Sequence, residues 1–115
     1  MTVDERLCEL KIGLPDRPAA VGNYVPCASV GKLMFVLTTI RHELGALDKV
    51  KRIVRVTGYV NSVGSFGDRP KVVNGASDLF EEIFGEDGKH ARTAVGVNSL
   101  YQNISVEIDT VVQLV

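Results

Sequence analysis

Apolar positions recur along this chain at two periods, and the changes of period mark its elements. Val3, Leu7 and Leu10 stand at helical spacing, which predicts a short amphipathic helix over Val3 to Lys11, with Thr2 as N-cap and Gly13 and Pro15 as its stop. Leu14-Pro15-Asp16-Arg17-Pro18 is a loop, since each proline removes a donor and biases the residue before it towards extended geometry. The chain then runs extended through Val21-Gly22-Asn23-Tyr24. Tyr24 to Val30 and Leu33 to Val36 flank Gly31-Lys32 as a hairpin, and Pro26, which cannot donate to a ladder, makes the first of these strands an edge or a bulged one.

Helical spacing returns at Leu37, Ile40, Leu44 and Leu47, predicting a short helix over Leu37 to Leu44 with Gly45 near its end. It follows Val36 with no turn residue between, an abrupt junction for a strand and a helix. Val50 to Asn61 alternates as a central strand, with Arg52, Val54, Val56, Gly58 and Val60 on one face and Lys51, Ile53, Arg55, Thr57 and Tyr59 on the other. After a glycine- and serine-containing loop over Ser62 to Pro70, a helix is predicted: Val73, Ala76, Leu79, Phe80, Ile83 and Phe84 line one side, Gly85 closes it, and Asn74 sits in its first turn. Glu86 to His90 is a turn, and Arg92 to Ser99 and Ser105 to Leu114 are two closing strands, expected to pair as a hairpin.

This order defines an α+β fold, a mixed sheet with helices packed on one face. The face left uncovered is expected to be rich in valine, and such a surface suits an oligomer interface.

Composition narrows the function classes. The 115 residues fit one domain, 45% hydrophobic and 23% charged, with 13 basic and 14 acidic residues giving a net charge of −1. Without a broad basic field, nucleic acid is a poor partner, and Lys49, Lys51, Arg52 and Arg55 interleave with apolar residues as a solvated strand face. The longest apolar stretch, Leu33 to Leu37, is too short to cross a bilayer, and Asp4, Glu5 and Arg6 occupy the place of a leader's apolar region, so a cytoplasmic protein with no membrane partner is expected. Cys8 and Cys27 lack metal-ligand or CxxC spacing and are expected to be reduced packing residues; His42 and His90 are too isolated to form a metal site. His90 reads as a surface histidine near Arg92, Ser77-Asp78 as an ordinary exposed helix turn, and Gly64 to Gly67 as no phosphate loop.

Arg92 and Glu107 are the candidates for chemistry, charged residues on strands where apolar or neutral ones are usual. The segments around them are distinctive in combination: Ala19 to Pro26, Val54 to Val60, Pro70 to Leu79, Gly88-Lys89-His90-Ala91-Arg92-Thr93-Ala94-Val95 and Val106-Glu107-Ile108. Together they resemble the reactive-intermediate deaminase (Rid, YjgF-like) family over nearly the whole chain, closest to a divergent subgroup of undefined function. The Ala-Arg-Ser/Thr motif followed at fixed distance by Val-Glu is specific to that family.

The resemblance implies a chorismate-mutase-like fold and a homotrimer with clefts between subunits. It also implies hydrolysis of a small 2-imino or 2-enamino acid to a 2-oxo acid and ammonia, without a cofactor. By position, Arg92 would grip the substrate carboxylate, Glu107 would be the general acid–base, and Tyr24 and Asn74 would line the substrate site. Two departures stand out. Ala94 replaces a cysteine frequent in the active branch. Relatives also carry a further block of a few dozen residues where Val36 here meets Leu37, so the single domain of residues 1–115 has an apparent missing segment between 36 and 37. Either the deletion is true, with an intact mass of 12.5 kDa, or the mass is well above that value.

A guanidinium suits a carboxylate because its fork meets both oxygens, and imine hydrolysis needs a group that can deprotonate water and protonate the leaving amine. If the two closing strands form a hairpin, Arg92 lies opposite roughly residue 112, on the order of 17 Å along the strand from Glu107. One small substrate cannot touch both, so one of them must come from a neighbouring subunit. The alternatives are a non-catalytic trimer that binds small carboxylate metabolites, and a ribonuclease, against which the neutral charge and the lack of aromatic platforms argue.

Overall fold

The computed structural model describes residues 2–13, 27–36 and 46–115. The proline loop, Tyr24, and the helix expected over Leu37 to Leu44 lie outside the described residues, as does the far side of the Val36 junction.

Helix α1 spans Val3–Glu9, and Thr2 caps it reciprocally: Glu5 N–H donates to Thr2 Oγ1 at 3.1 Å, and Thr2 N–H donates to Glu5 Oε2 at 2.8 Å. The helix ends earlier than expected, because Lys11 takes a left-handed φ of 57° and the N–H of Ile12 turns back to the Leu7 carbonyl at 2.9 Å. Leu7 is its buried residue, while Cys8 is a free thiol exposed to solvent, not the packing residue expected.

Strands β1 (Cys27–Val30) and β2 (Leu33–Val36) form the expected hairpin about Gly31, whose φ of 58° suits a tight turn. After a 3₁₀ turn at Leu47–Lys49 come β3 (Val50–Asn61), α2 (Arg69–Phe84), a second 3₁₀ turn at Gly85–Gly88, β4 (Ala91–Val97), a third at Tyr101–Asn103, and β5 (Val106–Leu114). These strands make one five-stranded mixed sheet in the order β1-β2-β5-β3-β4.

The closing strands are not a hairpin. β4 pairs parallel to β3 (Val56 opposite Arg92, Gly58 opposite Ala94), and β5 pairs antiparallel to β3 on its other side (Val56 opposite Thr110, Tyr59 opposite Glu107). The reason is the helix between β3 and β4: a helical crossover returns the chain in the direction it left, so β4 must run parallel to β3. The segment 98–105 then passes the end of β3, where Asn61 Nδ2 donates to Asn103 Oδ1 and the Ile104 carbonyl, each at 3.0 Å.

Strand β3 also departs from simple alternation. Its register against β5 shifts between Val50 and Arg52 and again between Ile53 and Arg55, and each bulge reverses the side-chain phase. Ile53, expected on the face with Arg55, is therefore buried beside Val56. Val50, Ile53, Val56 and Val112 form the core, with Phe80 and Phe84 of α2 packed on them. Gly58 lets α2 approach closely, since a Cβ there would collide with Val73. The helix begins at Arg69, ahead of expectation, because Pro70 in a first turn gives up only a donor that has no helical partner.

The face turned away from α2, uncovered among the described residues, differs from the valine-rich surface expected. Opposed across β3 and β5 it carries Arg55 with Val111, Thr57 with Asp109, and Tyr59 with Glu107, so polar groups dominate its centre. The bulges put Val50 and Ile53 in phase with Val56 and Val60 on the buried side of β3. Among the described residues, no helix is long and apolar enough to cross a membrane.

Candidate functional site

Arg92 lies on β4, the outermost of the described strands on that side, paired with Val56 and therefore on the helix side of the sheet. Its guanidinium reaches α2: Nη1 donates to Asn74 Oδ1 at 2.7 Å and to Ser77 Oγ at 3.1 Å, and Nη2 donates to the Pro70 carbonyl at 3.3 Å. Asn74 and Ser77 are three apart on α2 and so present one face to the arginine. Asn74 is in the second turn of the helix that starts at Arg69, so it holds Arg92 and caps nothing.

His90 stands two residues before Arg92, on the same side of the extended chain. Its Nδ1 is 2.6 Å from the Gly88 carbonyl oxygen, and its Nε2 is 2.9 Å from Ser77 Oγ. A carbonyl only accepts, so Nδ1 carries a hydrogen, and in the neutral form of the ring the Nε2 lone pair faces the serine. The edge of Phe80 packs on the ring at 5.8 Å between centroids, nearly perpendicular. Asn74, Ser77, His90 and Arg92 thus form one hydrogen-bonded row between α2 and β4.

Among the described residues no carboxylate pairs with Arg92; the ion pairs present are Arg6 with Glu9, Lys71 with Asp68 and Lys89 with Glu86. A guanidinium has five N–H donors, and three of the bonds they make are the ones to Asn74, Ser77 and Pro70. Among the described residues Nε–H and one Nη2 hydrogen have no partner and are left to meet an anion. The row lies at the rim of the sheet, alongside the β4 edge, which no further strand covers among the described residues.

Glu107 is elsewhere. It opposes Tyr59 on the uncovered face, so Arg92 and Glu107 project from opposite faces of the sheet, two strands apart. The separation follows from β3 lying between β4 and β5, and the hairpin-based distance of the sequence reading does not apply. Arg92 and Asn74 are brought together, Glu107 is not, and Tyr24 is outside the described residues. Ser77 and His90 are the residues that sequence reasoning passed over. The available signal was a coincidence of periods: Asn74 and Ser77 at i, i+3 on a helix, and His90 and Arg92 at i, i+2 leading into a strand. Among the described residues no cluster of His, Cys, Asp or Glu could hold a metal ion.

Residues 34–108 match the family described as "YjgF/chorismate_mutase-like, putative endoribonuclease". The chain belongs to this family, the YjgF or Rid family, and has its chorismate-mutase-like α+β fold. It is similar to a protein of unknown function from Agrobacterium tumefaciens, Atu1372, at 32% identity over 99% of this chain and 94% of that one, with a TM-score of 0.86. It is also similar to a "putative endoribonuclease" from Shewanella oneidensis, at 25% identity over 99% and 100% of the two chains, with a TM-score of 0.91. Protein TCP17 of Trypanosoma cruzi is 48% identical over 80 residues, 69% of this chain and 50% of that protein. The match therefore spans half the length of that curated relative.

Proposed function

We propose that the protein binds small 2-imino or 2-enamino acids through the carboxylate and hydrolyses them to 2-oxo acids and ammonia, without a cofactor. The observation that carries this is Arg92: a guanidinium fixed by Asn74, Ser77 and the Pro70 carbonyl, at a sheet edge, with donors left over and no carboxylate partner among the described residues. Fixing the fork in advance lowers the entropy lost when a carboxylate docks, and a two-oxygen anion is the ligand that geometry fits. A trimer in which Glu107 of one subunit meets Arg92 of the next would complete the site.

Hydrolysis of 2-iminobutanoate by the wild type and by Arg92→Ala is the test. Turnover by the wild type that the variant lacks supports the proposal; equal rates sink it. A specific observation favours a second reading, a non-catalytic carboxylate-binding protein: within one chain Glu107 faces away from Arg92. Carboxylate binding that depends on Arg92, with no turnover by the wild type, would select it.

A further inference from the structure

With Glu107 on the far face, the described side chains that stand with Arg92 between α2 and β4 are Asn74, Ser77 and His90, and of these only the serine and the histidine can pass a proton on. We propose that Ser77 and His90 form the proton relay of the Arg92 site, Ser77 Oγ exchanging protons with the substrate and His90 Nε2 holding them. The proposal rests on the imine-hydrolase reading above.

The argument is the direction of the hydrogen bonds. Arg92 Nη1 donates to Ser77 Oγ at 3.1 Å, so the serine hydrogen is free to point to His90 Nε2 at 2.9 Å, and His90 Nδ1–H is anchored on the Gly88 carbonyl at 2.6 Å. Every donor points one way, from the guanidinium through the hydroxyl and the imidazole to the backbone. The anchoring residue packs closely on α2, where a side chain at Gly88 would collide with the Phe80 carbonyl. This is the arrangement in which a base activates a hydroxyl and a third group orients the base. Arginine cannot supply the proton itself, because it does not deprotonate in proteins, whereas imidazole exchanges protons near neutral pH.

The steps balance. Water adds through oxygen to the C=N carbon of the protonated imine, one of its protons passes to Ser77 Oγ, and the proton of Ser77 passes to Nε2. A neutral carbinolamine and an imidazolium result. The imidazolium returns its proton through Ser77 to the amino nitrogen, the C–N bond breaks with its electron pair on nitrogen, the carbonyl forms, and the hydroxyl proton leaves with ammonia as ammonium. Among the described residues the charged groups around the ring are Arg92 of β4 and the neighbouring Lys89, with Arg52 of β3 lining the same cleft and Glu81 of α2 close to Lys89.

The test measures kcat and KM on 2-iminobutanoate, the pH profile of kcat, and 2-oxobutanoate binding by calorimetry, in wild type, Ser77→Ala, Ser77→Thr, His90→Gln and Glu107→Gln. His90→Gln keeps an acceptor for Ser77 but has no titrating nitrogen. The relay predicts kcat down by about 100-fold or more in Ser77→Ala and His90→Gln, with 2-oxobutanoate affinity retained, recovery in Ser77→Thr, and loss of the imidazole limb of the pH profile in His90→Gln. Unchanged kcat in both variants, with turnover abolished by Glu107→Gln, overturns the relay and leaves the hydrolase reading standing. Loss of 2-oxobutanoate affinity in step with kcat also overturns it, as the mark of a structural contact. A wild type without turnover overturns both. If His90→Gln does not fold, the two Ser77 variants carry the test.

Discussion

Arg92 and Glu107 project from opposite faces of the same sheet, one on β4 against the helix and the other on β5 against Tyr59, with β3 between them. Any chemistry that needs both must draw them from two copies of the chain. That gives a complementation experiment for a site shared between subunits. On that arrangement Arg92→Ala and Glu107→Gln each lose activity, and the two unfolded and refolded together regain it at about one quarter of the sites for random mixing across a heterologous interface. Activity assays on the mixture check it; no recovery would count against a shared intersubunit site.

The bulges of β3 make a second prediction. Ile53 is fully buried, and Ile53→Ala is expected to cost about 2–5 kcal/mol by urea denaturation. Val54→Ala, at a half-buried neighbour, is expected to cost less. A strand without bulges would reverse that ranking.

Gly58 sets the distance between α2 and the sheet. Gly58→Ala forces a methyl group against Val73 and is expected to destabilise by about 1–3 kcal/mol. The same shift moves Asn74 and Ser77 relative to Arg92, so carboxylate affinity is expected to fall alongside the denaturation midpoint.

Beside the histidine, Lys89 has its pKa raised above 10.5 by its hydrogen bond to Glu86 and by the charge of that residue. A group whose folded pKa is raised adds stability below its unfolded pKa and loses it as pH climbs through the folded value, so this contribution disappears only in alkaline solution. Both side chains are exposed, and the effect of the pair is expected to be small and sensitive to salt. NMR titration of Lys89 in wild type and Glu86→Gln checks the direction: the variant is expected to titrate at lower pH.

How much of this was legible in the sequence follows from how local each signal is. The Thr2 cap, the Gly31 turn and the Gly85 stop depend on neighbouring residues, and each stands where its residue type places it. Alternation along Val50 to Asn61 gave the strand but not its faces, because a bulge leaves no mark in a run of β-branched and basic residues. The pairing of β4 with β3 was available from the intervening helix, yet the short link between β4 and β5 suggested a hairpin instead. At the site, Arg92 and Asn74 were picked out and do meet. Ser77 and His90 were not, since their contact spans a helix and a strand whose relative placement no local pattern encodes.

The central claim, that Arg92 is a carboxylate receptor, is tested most directly by calorimetric titration of 2-oxobutanoate into wild type and Arg92→Ala. The account predicts saturable binding to the wild type and an affinity at least about tenfold weaker in the variant, the size of one lost hydrogen bond to a charged group. Equal affinity in the two proteins would contradict it.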